Sequence, residues 1–298
     1  MDQGQGQPLK AALWMGGAIV SFVLMAVAGR AVQVELNTFE LMFWRSLIGF
    51  AIVVAIIRLR HGGFALVRTQ HPGLHLTRNV FHFFGQNLWF YGLTMIPLSQ
   101  LVALEFTSPI WVVLLAPLFL GETLTRVKLL VALLGFAGVL IVAQPGAHAL
   151  NLGHLAGILA AVGFAMNLMF TRKIMLHDAV LCVLFWMTLS QGAMALVLAL
   201  ATGFSWPSLG VLPWLALVAV TGLSAHFSLT PALGLAPATL VAPMEFARLP
   251  IIALVGVWLY AEPLDPWVFL GAAIIFTANY LNLRANSARA RARAGLAR

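Results

Sequence analysis

Residues 108–142 read SPIWVVLLAPLFLGETLTRVKLLVALLGFAGVLIV, and residues 249–281 answer with LPIIALVGVWLYAEPLDPWVFLGAAIIFTANYL. About 20 apolar residues, rising 1.5 Å each, fill a hydrocarbon core of about 30 Å. Each stretch therefore holds parts of two membrane-spanning helices joined by a short link that carries a glutamate. Lipid is the solvent this chain expects.

The rest of the sequence agrees. Of 298 residues, 61% are apolar and 9% charged, where a soluble domain has about 25% charged, and the mean hydropathy is +0.96. Ten spans are expected, at 9–32, 38–58, 75–96, 98–120, 124–143, 152–174, 178–201, 210–232, 237–260 and 266–283. They read as helices, because a spanning segment must satisfy its own backbone groups and these runs lack the period-two alternation of barrel strands. No polar stretch is long enough for an extramembrane domain. The first run is too long for a signal-peptide core and leads straight into another span, so it is kept in the mature protein. Start signals agree with the boundaries: Asn37 and Glu40 form a capping-box pattern, Asp178 is placed to cap span 7, and Asp265-Pro266 opens span 10.

Sliding the chain by 140 residues aligns Leu93, Pro97, Glu105, Phe106, Leu114 and Glu122 with Leu233, Pro237, Glu245, Phe246, Leu254 and Glu262 without a gap. Two glutamates in register are informative in a chain with nine acidic residues. The expected domains are a first five-helix repeat at 1–146, a second at 147–284 and a basic cytoplasmic tail at 285–298. Five is odd, so the second repeat enters the membrane in the opposite sense. Inverted repeats around a central cavity are typical of secondary transporters, whose substrate site lies near the midplane.

With these features in place, the two quoted stretches resemble the paired EamA domains of the drug/metabolite transporter superfamily. The specific pieces are Pro109 and Pro250 in the fourth helix of each half, and Gly121-Glu122 and Ala261-Glu262 at its end. The resemblance implies a ten-helix permease for small metabolites, with bacterial exporters of aromatic and other amino acids as its nearest kind. It also implies a bacterial inner membrane location and motif residues that are architectural.

Orientation follows the positive-inside rule. Of the 17 lysines and arginines, Arg45 and Arg248 fall inside spans and Arg30 alone faces outside. The remaining fourteen face the cytoplasm when both termini do. The tail from Arg284 has no apolar face and is expected to be disordered, either as a topology signal or as a holder of anionic lipid. With no aromatic residue or folded module beside its arginines, nucleic acid is not an expected partner. The expected partners are a small-molecule substrate and the bilayer, and the chain is expected to be monomeric.

Ionisable residues within a membrane are functional candidates with a partner to be named. Glu105 and Arg45 lie at similar depth and can pair; Glu245 and Arg248, three residues apart, can pair along one helix face. Each couple is either a structural ion pair or a substrate or proton site. Pro109 and Pro250 cannot donate to the carbonyls of Glu105 and Phe246, leaving an acceptor beside each glutamate. In span 3, His75, Asn79, His82, Gln86 and Trp89 recur at steps of four, three, four and three, a stripe that faces a neighbouring helix or a wet cavity. His82 and Gln86 are the better solute contacts, with His226 as the counterpart of Gln86 in the second half. The deep tryptophans Trp44, Trp89, Trp111 and Trp186 either pack or, lining a cavity, suit flat or apolar solutes and, through cation–π attraction, cationic ones, with Trp89 and Trp111 as the candidates.

No phosphate-binding glycine loop, HExxH, CxxC or histidine–cysteine motif occurs, which argues against an ATP-driven pump, a metalloprotease, a metal site or a cofactor. The lone Cys182 is read as a packing residue. The function expected is export of amino acids by alternating access, with export of drugs or quaternary ammonium compounds as the alternative. A channel and an intramembrane enzyme using His82 and Glu105 are lesser rivals; an enzyme is not expected. Single cysteines placed by Thr202→Cys and His61→Cys in a Cys182→Ala background test the topology. An impermeant maleimide should label the first from outside intact cells and miss the second, and the reverse pattern contradicts this orientation.

Overall fold

The computed structural model describes residues 8–120, 125–144, 151–235 and 244–296. Regular structure within them is helical: α1 (Pro8–Val32), α2 (Thr38–Leu59), a 3-10 turn (Gly63–Val67), α3 (Pro72–Met95), α4 (Leu98–Glu105), α5 (Ser108–Leu120), α6 (Arg126–Ala143), α7 (Leu152–Ile174), α8 (Val180–Thr202), α9 (Leu212–Leu235), α10 (Arg248–Tyr260) and α11 (Pro266–Leu296). Eight segments are long and apolar enough to cross a membrane. The other two expected spans are α3, whose polar stripe lowers its hydropathy, and the segment ending in α10, part of which lies outside the described residues. The boundary expected at 146 and 147 also lies outside them.

The start signals act largely as their chemistry dictates. Asn37 Oδ1 accepts from Phe39 N and Glu40 N while Glu40 returns a bond to Asn37 N, and Asp265 Oδ1 accepts from Trp267 N. Asp178 does not cap α8; the N-cap is Ala179, and the Asp178 carboxylate turns to Thr69 instead. The basic tail is not disordered either, since α11 runs on to Leu296. Its alanines and arginines are strong helix formers, so lack of an apolar face does not end the helix.

The fourth helix of the first half, expected to be continuous, is interrupted over Phe106–Thr107 between α4 and α5. The second half repeats this: residues 244–245 are helical, 246–247 turn, and α10 begins at Arg248. A shift of 140 residues superimposes the two interruptions.

Packing joins the halves. The most extensive helix contacts pair α1 with α9, α3 with α7, α6 with α11 and α2 with α8. The 140-residue shift turns α1 into α7 and α3 into α9, so the first two pairs exchange while the last two map onto themselves. That is a two-fold relation. Large apolar side chains such as Leu118, Val197, Leu200 and Trp258 stand outward, the inverse of a water-facing surface. Trp14, Trp206, Trp214 and Trp267 are exposed near helix ends, where interface belts form.

Two of these contacts rest on glycine. A Cβ on Gly138 would meet the Gly271 carbonyl oxygen at 2.7 Å, and one on Gly271 would meet that of Gly138 at 2.6 Å. Between α3 and α7, a Cβ on Gly163 would meet Gly85 Cα at 2.8 Å. Close backbone approach through small residues is how helices associate in lipid. Gly138→Ala should therefore destabilise the purified protein by about 1–3 kcal/mol in thermal unfolding. Gly16→Ala, where nothing lies within 4 Å, should be neutral or mildly stabilising; equal losses at both sites would contradict this packing.

Candidate functional site

The interruptions bring charge and aromatic rings to one place. Pro109 has no N–H, and the carbonyls expected to stand free are taken up locally. Ser108 Oγ donates to Glu105 O at 2.7 Å and Leu249 N to Phe246 O at 3.0 Å. The neighbouring Phe106 O accepts from Asn279 Nδ2 of α11 at 3.0 Å. Glu105, the last residue of α4, accepts from Arg248 Nη2 at 2.8 Å and from Trp89 Nε1 at 2.9 Å. The guanidinium of Arg248 lies 4.8 Å from the ring centre of Phe22 and 5.0 Å from that of Phe106. Phe106 meets Phe246 at 4.4 Å, and Phe246 meets Phe276 at 4.8 Å. Phe106 and Phe246 are repeat equivalents, and a residue that touches its own equivalent lies on the pseudo-two-fold axis. A carboxylate, a guanidinium and rings in tilted and edge-on contact thus meet at the centre of the internal symmetry.

Both expected ion pairs are corrected by this arrangement. Glu105 pairs with Arg248 across the halves and not with Arg45. Glu245 makes no hydrogen bond or close ion pair among the described residues, but it still acts on Arg248 through its charge. The Nε of Arg248 is buried and has no hydrogen-bond partner among the described residues.

Arg45 has a different setting. Buried to 6% exposure, it contacts Met42 Sδ at 3.6 Å and has no carboxylate partner among the described residues. Gly222 makes room for it; a Cβ there would meet Arg45 Nη2 at 2.8 Å. Arg45 lines a void of about 10 Å³ with Ser46, Thr188 and Gln191, room for about one water. This interior void is set among α2, α8 and α9. An open groove of about 700 Å³ lies nearer one end, between Asn37, Phe39, Asn87, Tyr91 and Leu155.

The α3 stripe is buried along its length and faces neighbouring helices. His75 Nε2 lies 2.8 Å from Asp178 Oδ2. Asn79 Nδ2 donates to Trp186 O at 2.9 Å and Ser190 Oγ at 2.8 Å, and Gln191 Nε2 donates to His82 Nδ1 at 3.1 Å. Gln86 Oε1 is buried without a hydrogen-bond partner among the described residues. Trp111 packs edge-on against Phe136 at 5.2 Å. The side chain of His226 lies outside the described residues, as does Glu122.

Contacts between distant segments escaped the sequence reading. Arg30 pairs with Glu262, donates to Leu93 O at 2.9 Å and 2.6 Å, and lies 4.5 Å from the Tyr260 ring centre; Glu262 also accepts from Leu98 N at 2.9 Å. At one end of the helices, Ser208 binds Glu35 through N–H and hydroxyl at 2.6 and 2.7 Å, and these two bonds hold the Glu35 carboxyl below its ordinary range. At the other end, partial burial of Asp178 works against its charged form, yet bonds from Thr69 and His75 and the charges of His75 and His71 hold its carboxyl low. No motif marks a metal site, but the fold gathers His75, Asp178 and Cys182 into a potential ligand group.

A double-mutant cycle tests the central pair. Arg248→Met or Glu105→Leu alone should cost about 3–5 kcal/mol, because each leaves a buried charge unpaired, and the double change should recover most of that loss. Coupling between Glu245 and Arg248 should be clearly smaller, and a larger value would contradict this pairing.

Comparison with known proteins accords with this geometry. The model of the EamA-like transporter family matches residues 9–144 and again 151–284. The chain is 30% identical to a riboflavin transporter of Rhizobium johnstonii, over 94% of this chain and 93% of that one. It is 28% identical to an S-adenosylmethionine uptake transporter of Rickettsia bellii, over 89% and 90%. A solved crystal structure shares the fold at a TM-score of 0.63 and 18% identity, covering 91% of this chain and 96% of the other.

Proposed function

The chain belongs to the EamA-like transporter family, and from that premise we propose a ten-span secondary carrier that takes up a flat heteroaromatic metabolite by alternating access. Two inverted five-helix repeats fit the exchange of helix pairs under the 140-residue shift, and the positive-inside bias puts both termini in the cytoplasm. The bilayer is the bacterial inner membrane, as the bacterial relatives imply.

The cargo reading rests on one observation, the Glu105–Arg248 pair enclosed by Trp89, Phe22, Phe106 and Phe246. Rings of this kind stack on a flat solute, and the charged pair meets its polar groups. Riboflavin and S-adenosylmethionine, the cargoes named for the relatives, both join a flat nitrogen heterocycle to a polar chain. Amino acids, expected from the sequence resemblance, share only the polar part. Export draws no support from the relatives, one of which is named for uptake. Without a phosphate-binding loop, net movement follows a gradient.

Purified protein in liposomes decides the matter. Saturable, counterflow-stimulated uptake of labelled riboflavin or S-adenosylmethionine is expected, and Arg248→Ala should reduce it at least about tenfold, the loss of one charged contact of about 1.5–3 kcal/mol. Uptake of amino acids or quaternary ammonium compounds with neither heterocycle would overturn the cargo reading, and an unsaturable flux would replace the carrier by a pore.

A further inference from the structure

His75 belongs to the first half of the chain and Asp178 and Cys182 to the second, yet one ligand atom from each lies within 4.8 Å of the other two. The group is secluded: His75 and Cys182 are each 1% exposed, and the Asp178 side chain 9%. Its polar atoms are only partly satisfied. Cys182 Sγ reaches the Val67 carbonyl at 3.5 Å, a weak thiol contact. His75 Nδ1 and His71 Nδ1 are buried without a hydrogen-bond partner among the described residues. His71 stacks on His177 at 4.3 Å, so two more imidazoles stand beside the group.

We propose that His75, Asp178 and Cys182 bind a borderline divalent cation of the Zn²⁺ class, with water or His71 as the fourth ligand. An imidazole nitrogen, a carboxylate oxygen and a thiolate are the donors zinc accepts, at about 2.0–2.3 Å. A tetrahedron with such bonds sets its ligand atoms roughly 3.3–3.8 Å apart, so a closure of about 1 Å by side-chain torsions suffices. Hard cations such as Mg²⁺ and Ca²⁺ take oxygen ligands and would leave the sulfur and nitrogen unused. Binding changes no oxidation state. The Cys182 thiol gives its proton to solvent, the His75 ring moves its single proton from Nε2, where it meets Asp178, to Nδ1 and binds through Nε2, and Asp178 exchanges that hydrogen bond for a metal bond. Bridging the two halves, the ion would fasten the first to the second at this end of the helices.

The chain has one cysteine, which makes the test specific. Purified full-length protein in detergent should bind one equivalent of Co²⁺ with a near-ultraviolet thiolate-to-metal absorption band, which only Cys182 can supply. Cys182→Ala should abolish the band, and His75→Gln should weaken Zn²⁺ binding at least about tenfold against a chromophoric chelator. The exposed His61→Gln should change neither. If Cys182→Ala fails to fold, protection of Cys182 in the wild type from maleimide by Zn²⁺, reversed by EDTA, serves in its place. Absence of both band and protection overturns the site, and so does a Zn²⁺ affinity unmoved by His75→Gln. These readouts measure binding alone, so they stand or fall independently of the cargo.

Discussion

Each long helix of this protein finds its main partner in the other half of the chain, and the rest of the structure depends on that constraint. In lipid, helices gain little from hiding apolar surface and associate through close packing. The crossing of α6 and α11 shows how close: the backbones of Gly138 and Gly271 leave no space for a Cβ on either. With α1 on α9 and α3 on α7 related by the same shift, the repeat is a unit of sequence more than a unit of packing. The interrupted helices then meet at the axis, as the contact of Phe106 with Phe246 records.

Charge in this interior is distributed unevenly. Arg248 and Glu105 satisfy one another, Arg30 and Glu262 fasten α1 to the α10–α11 connection, while Arg45 has a thioether and a space the size of a water. A buried guanidinium without a counter-ion among the described residues is costly. Arg45 and the Glu105 group are linked by α3, whose stripe passes His82 beside Gln191 and Trp89 beside Glu105. The stripe that the sequence left undecided between a helix and a cavity is therefore a buried polar seam set against neighbouring helices.

What the sequence made legible was whatever depends on spacing along one helix. Span length, the Asn37 and Asp265 start signals and the 140-residue repeat all have that character. Partner choice does not. Depth places Arg45 and Glu105 at one level of the membrane but leaves their bearing around the bundle open, and the pairing went instead to Arg248, 143 residues from Glu105. Spacing of three places Glu245 beside Arg248 on an unbroken helix; with a turn at 246–247 their charges still interact, but the close contact of Arg248 is with Glu105. The tail misled for another reason. Low hydropathy is not low helix propensity, and alanine with arginine extends α11 beyond the apolar segment.

The position of the central pair on its helices has a further consequence. Glu105 closes α4 and Arg248 opens α10. The end of a helix carries partial negative charge and its beginning partial positive charge, so each of the two charges sits at the dipole pole of its own sign, at a cost of about 0.3–1 kcal/mol apiece. Neither is comfortable on its own helix, and each relies on the other. A solute that parts them meets two poles in want of a counter-charge, and only one that offers both a donor and an acceptor leaves the interior as well satisfied as before.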